Sequence, residues 1–238
     1  MSTMDAGNFP LFILLGSGMF LSVKTRKLTL AGALAGGATG LAVYAGALYP
    51  GISMLAAFFI SATLASSWKK KFKRALNIEE ANSGRRDAWQ VLANGSIAGI
   101  CGILAFMQPV HSGLFVVMMA SALSSATADT LSSELGNVYG SRFYNIITFR
   151  KDARGLDGVI SLEGTLCGLG GSILIAVIHA LGSGWDNNFF LIVAAGTIGN
   201  ISDSVIGAVF ERRNYLNNNM VNFMNTLIAS LAAMLLYQ

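Results

Sequence analysis

The residues best equipped for chemistry are four acids set in apolar surroundings: Asp129, Glu134, Glu163 and Asp203. The first two fall in T-A-D-T-L-S-S-E-L-G (127–136), at the end of an apolar, helix-length run that begins at Ser112. A carboxylate at bilayer depth costs roughly 2.5–3.5 kcal/mol on insertion scales, so such groups mark functional sites. Four carboxylates close together repel, and a cation must balance them. Arg86, Arg142 or Arg154 could do so. A divalent ion is the better candidate, because carboxylate, hydroxyl and amide oxygens are the hard ligands that suit Mg2+.

Polar stripes surround these acids. Arg86, Gln90 and Asn94 recur at i, i+4 and i+8, on one face of a helix. Asp129 shares a face with Ser133, and Thr130 with Glu134. Ser161 and Glu163 open a helix directly after a glycine turn that ends at Gly158. Asn200, Asp203, Ser204 and Gly207 form an i, i+3, i+4, i+7 stripe, and the last helix begins with Asn217, Asn218, Asn219, Asn222, Asn225 and Thr226. A lipid-facing helix would not tolerate that density of amides. Arginine binds phosphate oxygens bidentately, so the basic loops are a natural phosphate clamp, with Arg150, Lys151 and Arg154 as candidates. The basic run 69–74 has no embedded partner in the sequence and is expected to hold anionic lipid headgroups. Ala128-Asp129-Thr130 is echoed by Ser202-Asp203-Ser204, so two acids could share one bound nucleotide and its metal.

The elements that position these groups are membrane helices. The chain has 238 residues, is 53% hydrophobic and only 12% charged, with a mean hydropathy of +0.58, which excludes an ordinary soluble domain. About 20 apolar residues cross a bilayer, and on that measure eight helices are expected, at 6–23, 28–48, 51–67, 88–106, 112–133, 159–181, 188–210 and 220–237. The first and third are short and could be tilted or partly interfacial, which leaves seven or even six spans admissible. The fold class is an all-α polytopic bundle: one transmembrane domain over 1–238, with cytoplasmic loops at 68–87 and 136–158. The first run lacks a basic leader and a small-residue cleavage site and is read as a retained helix.

Charge supports the count. All 16 lysines and arginines fall in alternate loops, after the first, third, fifth and seventh helices. By the positive-inside rule those loops face the cytoplasm. Asp5 and Asp186 then lie outside, and Glu79, Glu80, Asp87, Asp152, Asp157 and Glu211 lie in or beside cytoplasmic loops. At 1.5 Å rise, Asp129 and Asp203 come within roughly 6 and 10 Å of the cytoplasmic helix ends. An integral membrane protein is expected, of the inner membrane if bacterial, with its site on the cytoplasmic side. Cys101 and Cys167 lie in apolar runs without metal or disulfide spacing, and His111 and His179 fall toward the outer side; all four are read as structural.

The motifs R-R-D-A-W-Q-V-L-A-N-G (85–95), A-D-T-L-S-S-E-L-G (128–136), G-L-D-G-V-I-S-L-E-G-T (155–165), G-N-I-S-D-S-V-I-G-A (199–208) and N-N-N-M-V-N-F-M-N-T (217–226) resemble the membrane family that contains the plant phytyl-phosphate kinase and an animal transmembrane protein. The segment V-Y-G-S-R-F-Y-N-I-I-T-F-R-K (138–151) is closer to the plant branch. More distantly, S-L-E-G-T is similar to the E-G-S motif of the CTP-dependent polyprenol kinases. The resemblance implies a kinase that converts a prenyl monophosphate to its diphosphate with CTP or ATP and Mg2+. It makes Asp129, Glu134, Glu163 and Asp203 the metal and nucleotide residues, with Asp129, Glu163 and Asp203 on the metal. Around them stand Arg86, Gln90, Asn94, Asn218 and Asn222. Leu156 departs from the family's threonine in the glycine turn, and Asp203 from the plant branch's polar residue.

The expected partners are the lipid phosphate, the nucleotide and membrane lipids, and no nucleic acid. The glycine-rich faces permit a homodimer. Two rivals share these features. A transporter or lipid-moving protein would place its polar residues at mid-membrane with access from both sides, and a nucleotidyl transferase would leave a nucleotide on the lipid.

Overall fold

The computed structural model describes residues 9–76 and 85–237. Asp5, Glu79 and Glu80 lie outside the described residues. Inside a bilayer every backbone N–H and C=O must be paired within the protein, which the chain achieves with helices. In order they are α1 (Phe9–Lys24), α2 (Leu30–Ser67), α3 (Lys70–Ala75), α4 (Ala88–Met107), α5 (Ser112–Tyr139), α6 (Leu162–Ser183), α7 (Asn188–Ile206) and α8 (Asn218–Leu236). Among the described residues α2 and α4 to α8 are long and apolar enough to cross a membrane, and α1 is a shorter apolar helix.

α2 holds two crossings. Its 38 residues would extend about 57 Å if straight, nearly twice the bilayer's hydrocarbon core. Instead Leu48 takes φ 50° and ψ −140°, and Pro50 lacks the N–H that would carry the helix through. The chain folds back on itself: Gly51 packs on Val43 and Ala47, and Lys27 Nζ donates to Ser67 Oγ at 2.7 Å. The predicted spans 28–48 and 51–67 are therefore both present, joined by a one-residue reversal. With α1, the described residues form the eight apolar helical segments expected from the sequence.

α5 is the central post. Over residues 117–128 it is buried on every side, and it packs against α2, α4, α6, α7 and α8. Small residues make the close approaches possible. Gly136 meets Gly164, Gly168 and Gly171 meet Ala128, and Gly199 meets Ser125. The tightest approach to backbone joins α4 to α2, where a methyl group on Gly102 would fall 2.3 Å from the Ala42 carbonyl oxygen. Backbone cannot swing aside as a side chain can, so Gly102→Ala is expected to destabilise the bundle by about 1–3 kcal/mol. Unfolding in mixed detergent measures this; unchanged stability would refute the contact.

The two ends of the bundle differ in their chemistry. At the end that carries the basic loops, Thr29, Asp87, Ser161 and Asn217 cap α2, α4, α6 and α8 by accepting from Gly32, Gln90, Gly164 and Met220 N–H, each worth about 1 kcal/mol. α5 and α7 begin at the opposite end without side-chain caps. The basic end also carries three features the all-α expectation omits. These are the short helix α3; a two-residue antiparallel pair of β1 (Tyr144–Asn145) and β2 (Val159–Ile160); and a π-helical turn, Gly207–Glu211, after α7.

Candidate functional site

A cavity of about 740 Å3 opens among α1, α2, α4, α5 and α8. Its polar end is lined by Arg86, Gln90 and Asn94 of α4, Asp129, Thr130, Ser133, Glu134 and Asn137 of α5, and Asn218 and Asn222 of α8. Elsewhere it is lined by apolar groups such as Leu15, Met19, Ile52, Leu55 and Phe58. The α4 stripe is fixed by its cap. Gln90 Oε1 accepts from Asp87 N–H while Asp87 accepts from Gln90 N–H, both at 3.0 Å, which closes a capping box. One turn on, Asn94 Nδ2 donates to Gln90 O, and Asn94 Oδ1 is buried without a partner. A buried acceptor left unpaired beside a cavity suits a hydroxyl, water or cation. Arg86 is held by backbone bonds to Lys27 and Thr29 and donates Nη2 to Ser66 Oγ at 3.3 Å. Asn222 Nδ2 donates to Asn218 Oδ1 at 2.9 Å.

The four embedded acids separate into distinct roles. Asp129 reaches the cavity, and its carboxyl lies beside that of Asp203, close enough for the two to interact. Asp203 also accepts from Asn225 Nδ2 at 2.6 Å, and Asn225 Oδ1 accepts from Ser125 Oγ. The echoed motifs of α5 and α7 thus lie side by side. Two carboxyls in contact need a proton or a cation between them.

Glu134 also lines the cavity, but Lys73 neutralises it. Lys73 is 2% exposed. Besides Glu134 its ammonium donates to Ala65 O at 3.0 Å and Ser66 O at 2.9 Å, so all three of its protons are engaged. This corrects the reading of 69–74 as a run without embedded partners. α3 turns Lys73 inward to cap the end of α2. Lys69 lies over the ring of Tyr139, whose hydroxyl accepts from Trp68 Nε1 at 2.8 Å.

Glu163 is engaged elsewhere. It accepts from Ser141 N–H at 3.1 Å and Ser141 Oγ at 2.6 Å, and it does not line the cavity. The expected trio of Asp129, Glu163 and Asp203 is therefore divided. Among the described residues no group of three His, Cys, Asp or Glu side chains is placed to hold a metal ion. The Asp129–Asp203 pair and Asn94 Oδ1 still offer hard oxygen donors. Mg2+ commonly takes one or two protein carboxylates and completes its shell with water and substrate phosphates, so these residues fit it.

Several other predicted contacts hold the basic end together. Arg154 donates to Gly140 O at 2.8 Å and lies over the rings of Phe143 and Phe72. Gly158, at φ +71°, packs so closely on Ala208 that a Cβ would fall 2.3 Å from it. Ser161 is the cap of α6. Asn200 accepts from Ser132 Oγ at 3.0 Å, and Ser204 Oγ donates to Asn200 O. Arg150 and Lys151 are exposed on the strand-bearing loop. None of these seven lines the cavity.

Asp157 and Glu211 were missing from the predicted site, although each lies close enough to Asp203 to repel it. Arg212 ties this corner down. It donates to Asp157 O at 3.1 Å and to Asp152 Oδ2 at 2.8 Å, which holds the Asp152 carboxyl below its ordinary range. Partial burial pushes the Asp157 carboxyl up, against the pull of Arg212. The i+4 spacing of Gly207 and Glu211 was the available signal, but only the π-turn sets Gly207 against Asp157.

Comparison with known proteins agrees with this membrane architecture. A family model described as integral membrane protein DUF92 matches residues 13–230. The chain is 34% identical to Protein VTE6, chloroplastic, of Arabidopsis thaliana, over 79% of its own length and 59% of that relative's. It is 35% identical to the uncharacterized membrane protein MJ0933 of Methanocaldococcus jannaschii, over 77% of this chain and 75% of the relative. It is 27% identical to the uncharacterized membrane protein sll0875 of Synechocystis, over 82% and 76%. No solved structure matches.

Proposed function

Because the chain belongs to the DUF92 family of integral membrane proteins, we propose that it is a prenyl-phosphate kinase that transfers a phosphoryl group from CTP or ATP to an isoprenoid monophosphate. The cavity carries this reading: a single space joins an arginine, a carboxylate and amides at one end to an apolar limb at the other. That is the shape of an amphiphile with a phosphate head. The family resemblance of the motifs supplies the class of head and tail. We place the basic end in the cytoplasm, where nucleotide is available, on the strength of the charge distribution.

In this scheme an acceptor phosphate oxygen forms a new P–O bond to the terminal phosphorus of the donor, and the bridging P–O bond breaks to release the nucleoside diphosphate. The acceptor is already an anion, so no strong base is required. Positioning and charge balance carry the catalysis. Arg86 binds the acceptor phosphate at the mouth of the apolar limb. Asp129, with Asp203 behind it, would hold Mg2+, which when bound neutralises the donor phosphates. Asn94, Asn218 and Asn222 fix the head by hydrogen bonds. Lys73 holds Glu134 in a neutral pair so that the wall beside the phosphates does not repel them.

Purified protein incubated with labelled CTP or ATP, Mg2+ and geranylgeranyl phosphate is expected to yield the diphosphate, and EDTA is expected to abolish the product. A nucleotide-linked lipid would instead identify a nucleotidyl transferase. Movement of the lipid phosphate across a vesicle membrane without any new phosphorus bond would identify a lipid mover.

A further inference from the structure

The apolar limb is hollow at two glycines. A Cβ built on Gly18 of α1 would find no atom within 4 Å, and one on Gly36 of α2 would meet only Val91 Cγ1, at 3.9 Å. Both glycines line the cavity. Their neighbours behave differently: a Cβ on Gly37 would strike Met19 Sδ at 2.7 Å, and one on Gly40 would strike Leu15 Cδ2 at 2.8 Å. Gly37 and Gly40 therefore seat α1 on α2, whereas Gly18 and Gly36 receive nothing from the protein. A helix interior gives up about 0.8–1.0 kcal/mol by carrying glycine in place of alanine, and here no packing contact explains the choice.

Depth locates the gap. Gly32, one turn before Gly36, packs on the backbone of Arg86 and Asp87, so Gly36 stands about 6 Å beyond Arg86 along α2. Met19 against Gly37 sets Gly18 at the same level. The limb then runs on to Ile52, which is 15 residues, or about 22 Å, from the basic end of α2.

We propose that Gly18 and Gly36 form the neck of a tail site, through which the prenyl chain of a lipid phosphate passes from its head at Arg86 into the limb that ends near Ile52. The proposal rests on the lipid-phosphate reading above and adds where the tail lies and which residues admit it. A five-carbon tail stops at the neck and a twenty-carbon tail must cross it.

The test measures binding of isopentenyl phosphate and geranylgeranyl phosphate to the purified full chain by native mass spectrometry, in Gly18→Leu, Gly36→Leu and Gly170→Leu. Gly170 also has no atom within 4 Å of its Cβ position but lies outside the cavity. Each neck variant is expected to weaken geranylgeranyl phosphate by about tenfold or more, since an inserted side chain competes for filled space, while isopentenyl phosphate and the Gly170→Leu control stay near wild type. The two neck variants lie on separate helices, so failure of one to fold leaves the other to decide. Geranylgeranyl phosphate binding unchanged in folded Gly18→Leu and Gly36→Leu overturns the neck and leaves the kinase reading intact. Selective loss in the variants, with no phosphoryl transfer by wild type, keeps the neck and overturns the kinase. A wild type that binds neither lipid overturns both.

Discussion

Asp129→Asn is expected to lower turnover of the prenyl phosphate by about 10²–10³-fold while lipid binding changes little, the usual scale for removing one preorganised electrostatic group. Asparagine keeps the shape of the side chain and removes only its charge. Asp129 lines the cavity and lies against a second acid, Asp203. Glu163→Gln is the informative comparison, because Glu163 serves the Ser141 loop and stands off the cavity. Single-turnover transfer from labelled nucleotide measures both. Equal losses in the two variants, or an unimpaired Asp129→Asn, would remove Asp129 from the centre of the mechanism.

Lys73→Ala is expected to destabilise the protein by about 3–5 kcal/mol, because it leaves Glu134 buried and unpaired. It also strips two carbonyls at the end of α2 of their donor. The double variant Lys73→Met with Glu134→Leu is expected to recover most of that loss, since an apolar pair of similar volume avoids the desolvation of both charges. Unfolding of wild type, Lys73→Met, Glu134→Leu and the double variant in mixed detergent gives the four corners of the cycle. Additive losses would mean that the two side chains do not interact. The neutral double variant further separates fold from function. If it is stable yet slow, the pair matters for the phosphates beside it as well as for packing.

These expectations show where sequence was sufficient. Helix number followed from apolar length and from the alternation of basic loops, and the boundary set between the spans 28–48 and 51–67 falls where α2 turns. Faces were legible too: Arg86, Gln90 and Asn94 reach one cavity, and the two acids linked by the echo of their motifs, Asp129 and Asp203, are neighbours in space. Partners far apart in the chain were not legible. Lys73 sits in a run of basic residues that composition alone sends to the headgroups, and its burial depends on Glu134, 61 positions away. Glu163 looks like a membrane-embedded acid until Ser141 is seen to cap it. Arg154 and Gly158 have the residue types of a phosphate loop, but aromatic rings and Ala208 occupy them. In each case the side chain's role is set by a tertiary neighbour, and periodicity carries no record of that neighbour.

The reversal at Leu48 also fixes parity. α1 runs antiparallel to the first half of α2, with Leu15 against Gly40 and Met19 against Gly37, so the passes form an even set. Residues 9 and 237 consequently lie at the same end of the bundle. A hydropathy profile that reads 30–67 as one long span makes the set odd, and it assigns every loop after Ser67 to the wrong end of the bundle.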